Sequence, residues 1–213
     1  MISKNLHCLD KIHPDDHIST VSPINFTTSE GETFTVWMES LLYHTYGCTV
    51  FNSKGEIVYR VDNYNKKCSH EVHLMDLRGN TLFTIRRRKK FHAFGSCWDG
   101  YRCSGSTIIN KLEKPWFKVK RYCRMLMGDV ACRITVGYDK YDKYWIVRIL
   151  GAGKAAFRIV DVDGGVVAEA KPKHSGSGVV LGDDVLTLEV VPYIDHSLIL
   201  ALVIVYGLIR GRL

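Results

Sequence analysis

Positive charge is the feature of this sequence that most directly suggests chemistry. The net formal charge is +7, and the run Arg86-Arg-Arg-Lys-Lys90 places five cations in succession. A second basic cluster contains Lys111, Lys114, Lys118, Lys120, Arg121 and Arg124. Grouped lysines and arginines attract lipid headgroups or nucleic-acid phosphates. The clusters predict a site for anionic groups. The alternative is a solvated strand face that stays charged to prevent edge aggregation.

Alternation of apolar and polar residues selects four of these cations. In the run 81–86 before the first cluster, Phe83 and Ile85 are apolar and point inward, which leaves Leu82, Thr84, Arg86 and, beyond them, Arg88 on the outer face. In the second cluster the same alternation leaves Lys118 and Lys120 outside. We therefore predict that an external basic face formed by Arg86, Arg88, Lys118 and Lys120 binds anionic groups or lipids.

Three stretches resemble known sites without meeting their requirements. The stretch 151–155 lacks the first glycine and the hydroxyl residue of a phosphate-binding loop. The stretch 161–165 resembles a calcium loop, but Pro172 stands where that loop needs a glutamate. His70 and His73 are three residues apart, and a strand points such residues to opposite faces. We predict hairpin turns and strands here, with no metal site and no cofactor.

Catalytic patterns are also missing from the sequence. It contains no Gly-x-Ser-x-Gly nucleophile elbow, and no Ser or Cys has a recognisable His partner by spacing. We predict that the protein is not an enzyme. The seven cysteines are an odd number, and the polar N-terminal residues lack the apolar core of a secretory signal. These features predict reduced thiols in a monomeric intracellular protein, either cytoplasmic, peripheral at the plasma membrane, or nuclear.

The C-terminal segment determines which fold positions these residues. From Leu198 to Ile209 twelve residues are apolar without interruption. A helix without a polar face must be surrounded, and a bilayer span needs about 18 residues or more. The segment therefore predicts a helix near 195–209 that is buried on every side. Asp195 or Ser197 is suited to cap its start.

The rest of the chain supplies the strands that would surround this helix. Thirteen short runs have strand patterns. They are 33–38, 47–52, 56–61, 70–76, 81–86, 90–94, 98–103, 116–122, 130–136, 144–150, 156–162, 166–171 and 185–190. A barrel of about eight strands is filled by its own side chains, so a central helix requires more strands. We predict a mainly β fold, a closed antiparallel barrel of about twelve strands around a buried hydrophobic C-terminal helix. Residues 31–213 form this single domain, and residues 1–30 form a flexible N-terminal tail.

Two motifs resemble the LURP-one-related proteins of plants. One runs from Thr49 to Tyr64 and includes Arg-Val-Asp-Asn-Tyr, and the other runs from Leu74 to Arg88 and includes Leu-Met-Asp and Thr-Ile-Arg-Arg. The residues from Val190 to Val205 are similar to the end of that family, so the resemblance covers about residues 33 to 209. It implies a twelve-stranded barrel around a C-terminal helix, as in the tubby C-terminal domain and the phospholipid scramblases.

The resemblance implies fold more directly than activity. Tubby-like relatives suggest a regulatory protein that binds anionic phospholipids, such as phosphoinositides, at the inner membrane surface. The family's association with plant defence suggests a scaffold or membrane-tethered transcriptional regulator instead, with nucleic acid or regulatory proteins as partners. A scramblase-like membrane protein is a third alternative. Asp195 and His196 directly before a short apolar run argue against it.

Overall fold

The fold is a barrel of antiparallel strands that encloses one helix. A computed structural model describes residues 26–38, 46–63, 70–88, 97–103, 114–121, 130–137, 141–153 and 155–213. The strands in these residues are β1 (Glu32–Trp37), β2 (Tyr46–Phe51), β3 (Ile57–Asn63), β4 (Glu71–Asp76), β5 (Thr81–Arg88), β6 (Cys97–Arg102), β7 (Phe117–Arg121), β8 (Val130–Val136), β9 (Tyr144–Arg148), β10 (Phe157–Asp161), β11 (Val166–Pro172) and β12 (Val185–Val190). The helix α1 is His196–Ile209.

The sheet closes on itself because the first and last strands pair. Each strand lies beside its neighbour in sequence, and β12 completes the barrel by pairing antiparallel with β1, from Glu32 opposite Val190 to Trp37 opposite Val185. The predicted closed twelve-stranded barrel with a C-terminal helix is therefore confirmed. Twelve of the thirteen predicted runs are strands. The remaining run, 90–94, lies outside the described residues.

The helix α1 fills the interior of the barrel. Its residues from Ile199 to Val205 have no exposed surface, so every side of the helix is covered. The surrounding wall consists of inward side chains that alternate along the strands, such as Phe117 and Val119 on β7 and Ile146 on β9. A helix that is apolar on every side needs this wall because its side chains would otherwise be exposed to water. Its backbone polar groups need no partner from the wall because they are hydrogen-bonded within the helix.

Capping motifs define the two ends of the barrel. The carboxylate of Asp195 accepts hydrogen bonds from the backbone N–H groups of Ser197 and Leu198, which are otherwise unpaired at a helix start. At the other end Gly211 has φ +69° and the N–H of Arg212 donates to the carbonyl of Gly207, a Schellman arrangement. We call the barrel end at Asp195 the N-cap end and the end at Arg210 the C-cap end.

The domain begins before its first strand. Phe26 packs edge-on against His196 with ring centroids 5.8 Å apart, and its carbonyl accepts a hydrogen bond from the His196 N–H. The Tyr193 N–H donates to the Thr28 carbonyl in the same way. Residues 26–28 are thus held against the helix start, although they belong to the predicted flexible tail 1–30. Residues 1–25 lie outside the described residues.

A glycine allows β6 and β7 to carry a large side chain between them. Phe117 on β7 lies opposite Gly100 on β6, and its ring occupies the space into which a side chain at Gly100 would project. A Cβ atom there would stand 2.1 Å from the Phe117 ring. Any larger residue would displace this ring, so Gly100 fixes the packing below the predicted basic face.

His196 is the titratable group that the helix start buries. Its Nε2 atom is hydrogen-bonded to the Tyr59 hydroxyl at 2.8 Å, and Nδ1 has no hydrogen-bond partner. Burial lowers the pKa of His196, and the charges of Asp195 and Glu32 act in the opposite direction. His196 therefore stays neutral in the folded barrel at pH values just below about 6.5, where a histidine in the unfolded chain becomes protonated.

This burial predicts an acid-dependent loss of stability. As pH falls below about 6.5, the unfolded state gains a proton and the folded state does not, so the free energy of unfolding decreases, by at most about 1.4 kcal/mol per pH unit for one group. His196→Gln should show a smaller decrease than the wild type in urea titrations between neutral and acidic pH. His73→Gln, at a partly exposed histidine, is the matched control. Equal slopes for wild type and His196→Gln would contradict this role.

Candidate functional site

Four neighbouring strands bring the predicted basic face together. Strand register places Glu71 of β4 opposite Arg86 of β5, Arg86 opposite Asp99 of β6, and Asp99 opposite Lys118 of β7. Strands lie about 4.8 Å apart, so β5 and β7 are about 10 Å apart across β6. In the next row Lys120 of β7 follows Lys118 by two residues and lies on the same face. The structure thus gathers all four predicted residues on one outer surface.

The outer face of β5 is more covered than the alternation predicts. Thr84 points away from the helix but is buried, with 1% of its surface exposed. Its hydroxyl lies 3.1 Å from His73 Nδ1 and 3.6 Å from the Cys103 sulfur. The prediction that Thr84 lies outside the barrel wall is correct, but its neighbours on β4 and after β6 enclose it. The accessible basic face therefore begins at Arg86.

Arg86 and Arg88, the two outward arginines of β5, are already paired with carboxylates. Arg86 Nε lies 2.5 Å from Glu71 Oε2, and its guanidinium stacks 5.4 Å from the centroid of the Tyr101 ring. Arg88 holds Asp99 Oδ2 through Nε at 2.8 Å and through its terminal nitrogen at 2.6 Å. These short, charge-assisted contacts cross from strand to strand. The arginines therefore stabilise β4, β5 and β6 and have less charge available for a ligand.

The two ion pairs differ in burial. The side chain of Asp99 is 7% exposed, whereas that of Glu71 is 39% exposed. The hydrogen bond to Asp99 raises the pKa of Arg88, partly opposed by burial, so Arg88 stays charged beside the carboxylate. A buried carboxylate without its partner is costly, whereas an exposed one is solvated by water. The Arg88–Asp99 pair therefore contributes more to the stability of the fold than the Arg86–Glu71 pair does.

The lysines of β7 are in a different state. Lys118 is half-buried and Lys120 is exposed, and neither makes an ion pair within the described residues. Other outer cations are neutralised more completely, since Arg158 and Lys171 both contact Glu169. This contact with Lys171 and Arg158 lowers the pKa of Glu169 in spite of its partial burial. Lys118 and Lys120 are therefore the members of the predicted site whose charge is available for binding.

Three further arginines lie at the C-cap end, although they are far apart in the sequence. Arg121 ends β7, Arg148 ends β9, and Arg210 caps α1. Arg121 and Arg148 occupy inward positions in the alternation of their strands, opposite the buried residues Cys132 and Phe157, although at the strand ends Arg121 is exposed and Arg148 is half-buried. An inward arginine at the end of a strand was the signal in the sequence that could have identified them. We call Arg121, Arg148 and Arg210 the C-cap arginines.

The surroundings of the C-cap arginines contain few compensating groups. Burial raises the pKa of the Cys132 thiol to about 12, and the positive charges of Arg121 and Arg148 oppose this increase. Burial raises the pKa of Tyr206, opposed first by Arg210, whose guanidinium lies 5.6 Å from the centre of the Tyr206 ring. Arg148 Nε is buried without a hydrogen-bond partner. None of the three makes an ion pair within the described part of the chain.

The described residues contain no sign of a metal centre or a membrane-spanning helix. No three His, Cys, Asp or Glu side chains in these ranges are close enough to hold a metal ion. Cys48, Cys97, Cys103 and Cys132 are free thiols. No helix in the same ranges is long and apolar enough to cross a bilayer.

Comparison with known proteins matches nearly the whole barrel. A family model described as LURP-one-related matches residues 32–207. Protein LURP-one-related 4 from Arabidopsis thaliana is 51% identical over 186 residues, which cover 87% of this chain and 82% of that protein. Protein LURP-one-related 11 from the same plant is 43% identical over 208 residues, with 94% and 88% covered.

A solved structure confirms the architecture independently. The crystal structure of an Arabidopsis thaliana protein superposes with a TM-score of 0.60 and covers 87% of this chain and 94% of its own. Its sequence identity is 14%, so the likeness concerns the fold alone.

The different burial of the two ion pairs predicts different costs of removing them. Arg88→Met should lower the free energy of unfolding by about 3 kcal/mol, because it leaves Asp99 buried without its cation. Arg86→Met, the matched control, should cost about 1 kcal/mol or less, because Glu71 is exposed to water. Urea denaturation of both variants measures the difference. A double variant, Arg88→Met with Asp99→Asn, should recover part of the loss. Equal costs for Arg88→Met and Arg86→Met would contradict the structural role of the Arg88–Asp99 pair.

Proposed function

The chain belongs to the LURP-one-related family, and we propose that it is a non-enzymatic regulatory protein that binds anionic phospholipid headgroups. Its binding surface is the outer face of β7, centred on Lys118 and Lys120. Phosphoinositides are the favoured headgroups because they present several phosphates to a compact set of cations. In this proposal the protein is an intracellular monomer that binds peripherally to a membrane and has a role in plant defence.

The single observation that carries this proposal is that Lys118 and Lys120 make no ion pair within the described residues. A cation that is paired with a carboxylate has much of its field cancelled, as at Arg86 with Glu71 and at Arg88 with Asp99. Lys118 and Lys120 keep their field, and each cation near an anionic membrane contributes about 1 kcal/mol of attraction. Arg86 and Arg88 remain part of the proposed surface, where they position the neighbouring strands and supply weaker attraction.

Lipid headgroups fit this face better than nucleic acid. Proteins that bind single strands combine cations with exposed aromatic rings on which bases stack. Two aromatic rings beside this face are already covered by cations, because Arg86 lies over Tyr101 and Arg102 lies over Trp116. A row of cations whose neighbouring rings are covered in this way is better suited to phosphate groups at a lipid surface.

Lipid binding is tested by vesicle flotation with charge-reversed variants. Wild-type protein should float with phosphatidylcholine vesicles that contain phosphatidylserine or a phosphatidylinositol phosphate, and added salt should weaken the binding. Lys118→Glu with Lys120→Glu should reduce partitioning by about thirtyfold or more, since the two lost cations contribute about 2 kcal/mol and the two glutamates add repulsion. Lys120 is exposed but Lys118 is half-buried opposite Asp99, so melting curves check that this double variant is folded.

The matched control reverses two exposed cations in hairpin turns at the N-cap end, Lys54→Glu with Arg78→Glu. It changes net charge by the same amount and should float like wild type. If all three proteins float equally, or if the two double variants lose binding equally, the β7 face is not the site. Preferential binding of an RNA or DNA oligonucleotide over vesicles would replace the lipid with nucleic acid.

A further inference from the structure

Exposed aliphatic side chains stand at the tips of two connections at the C-cap end. Leu150 in the β9–β10 connection is 72% exposed, and Val179, Val180 and Leu181 in the β11–β12 connection are 64%, 47% and 50% exposed. Such side chains normally pack inside a protein, and several together at the surface are typical of an interaction site.

The two connections are ordered and adjacent. In the β11–β12 connection the Ser175 N–H donates to the Val179 carbonyl, and the Leu181 N–H donates to the Lys173 carbonyl. The fold therefore holds these aliphatic side chains outward. The β9–β10 connection packs alongside it, since a side chain at Gly153 would stand 3.4 Å from Pro172 of β11. We call Leu150 with Val179, Val180 and Leu181 the apolar tip.

Cations lie at the same end of the barrel as the apolar tip. The C-cap arginines lie at the same end of the barrel, as does Lys173, whose Nζ donates to the Thr35 hydroxyl. Arg212 joins the chain terminus to the β11–β12 connection through Asp183 at 3.2 Å. The other carboxylate of that connection, Asp184, accepts a hydrogen bond from Trp37 Nε1 at 3.0 Å. Asp184 keeps its negative charge because its donor is neutral, but within the described residues the C-cap arginines and Lys173 outnumber it at this end.

The N-cap end provides an internal comparison. Leu77, Tyr141 and Val162 are exposed there, so apolar exposure alone does not distinguish the two ends. Tyr193 is exposed there as well, without an adjacent aspartate, but Val162 lies between Asp161 and Asp163. Asp76 beside Leu77 is buried and Asp142 beside Tyr141 pairs with Arg133, so Asp161 and Asp163 are the carboxylates that an anionic membrane would repel, while it would attract the cations of the C-cap end. Charge therefore selects the C-cap end.

We propose that the C-cap end is the membrane-docking end of the barrel and that its partner is an anionic phospholipid bilayer. The apolar tip enters the boundary between headgroups and acyl chains, and the C-cap arginines hold lipid phosphates. This inference rests on the proposed lipid binding and adds the orientation and the insertion to it. Lys120 connects the two surfaces, because it precedes Arg121 at the end of β7.

Insertion is tested by placing carboxylates in the apolar tip. Val180→Asp with Leu181→Asp should reduce flotation with phosphatidylserine-containing vesicles about tenfold or more, because the tip would have to carry charges into the headgroup region. Val162→Asp with Val166→Asp, at the N-cap end, adds the same charge at positions of similar exposure and should float like wild type. Melting curves of both double variants check that each is folded.

A second measurement reports depth without adding charge. Val180→Trp should lose much of its added tryptophan fluorescence in vesicles with brominated acyl chains, and Val162→Trp should lose no more than wild type. If wild type floats but the two aspartate variants bind equally and the two tryptophan variants are quenched equally, the insertion is wrong and the proposed lipid binding stands. If wild type does not float, both fail. Wild-type protein that dimerises would point to another role for the apolar tip if the double variant Val180→Asp with Leu181→Asp were monomeric. That result would identify the tip as a contact between two copies of the chain and overturn the proposal.

Discussion

The burial of α1 is the constraint on which the rest of the structure depends. A helix with no polar face is stable in water only when it is enclosed, and each of its large aliphatic side chains contributes about 1.5 to 3 kcal/mol through burial. Enclosure requires a wide barrel, which the twelve described strands supply. It also fixes the alternation of those strands, because every inward position must contact the helix or fill the space beside it.

This constraint leaves three kinds of surface for function. The outer face of the strands carries the polar residues that alternation excludes from the interior, among them Lys118 and Lys120. Both ends carry charges of both signs, but the β10–β11 turn at the N-cap end carries Asp161 and Asp163, while strand ends at the C-cap end carry Arg121 and Arg148. The buried helix holds all three surfaces in a fixed relation. A lipid headgroup bound at β7 would therefore orient the whole barrel.

The sequence predicts the architecture well and the state of the site poorly, for physical reasons. Periodicity reveals the strands and the helix, because alternation and all-round apolarity are properties of consecutive residues. The pairing of Arg88 with Asp99 depends instead on the register between β5 and β6, which local sequence does not determine. The inward position of Arg148 follows from alternation, but its meeting with Arg121 and Arg210 follows only from closure of the barrel.

The central claim is that α1 is fully enclosed, and native-state hydrogen exchange tests it most directly. The amides from Ile199 to Val205 have no path to solvent while the barrel is closed. Their exchange should therefore require global unfolding, with a free energy and a denaturant dependence equal to those of the whole domain. Exchange of these amides through a local opening that is far less costly than global unfolding and independent of denaturant would contradict enclosure of the helix.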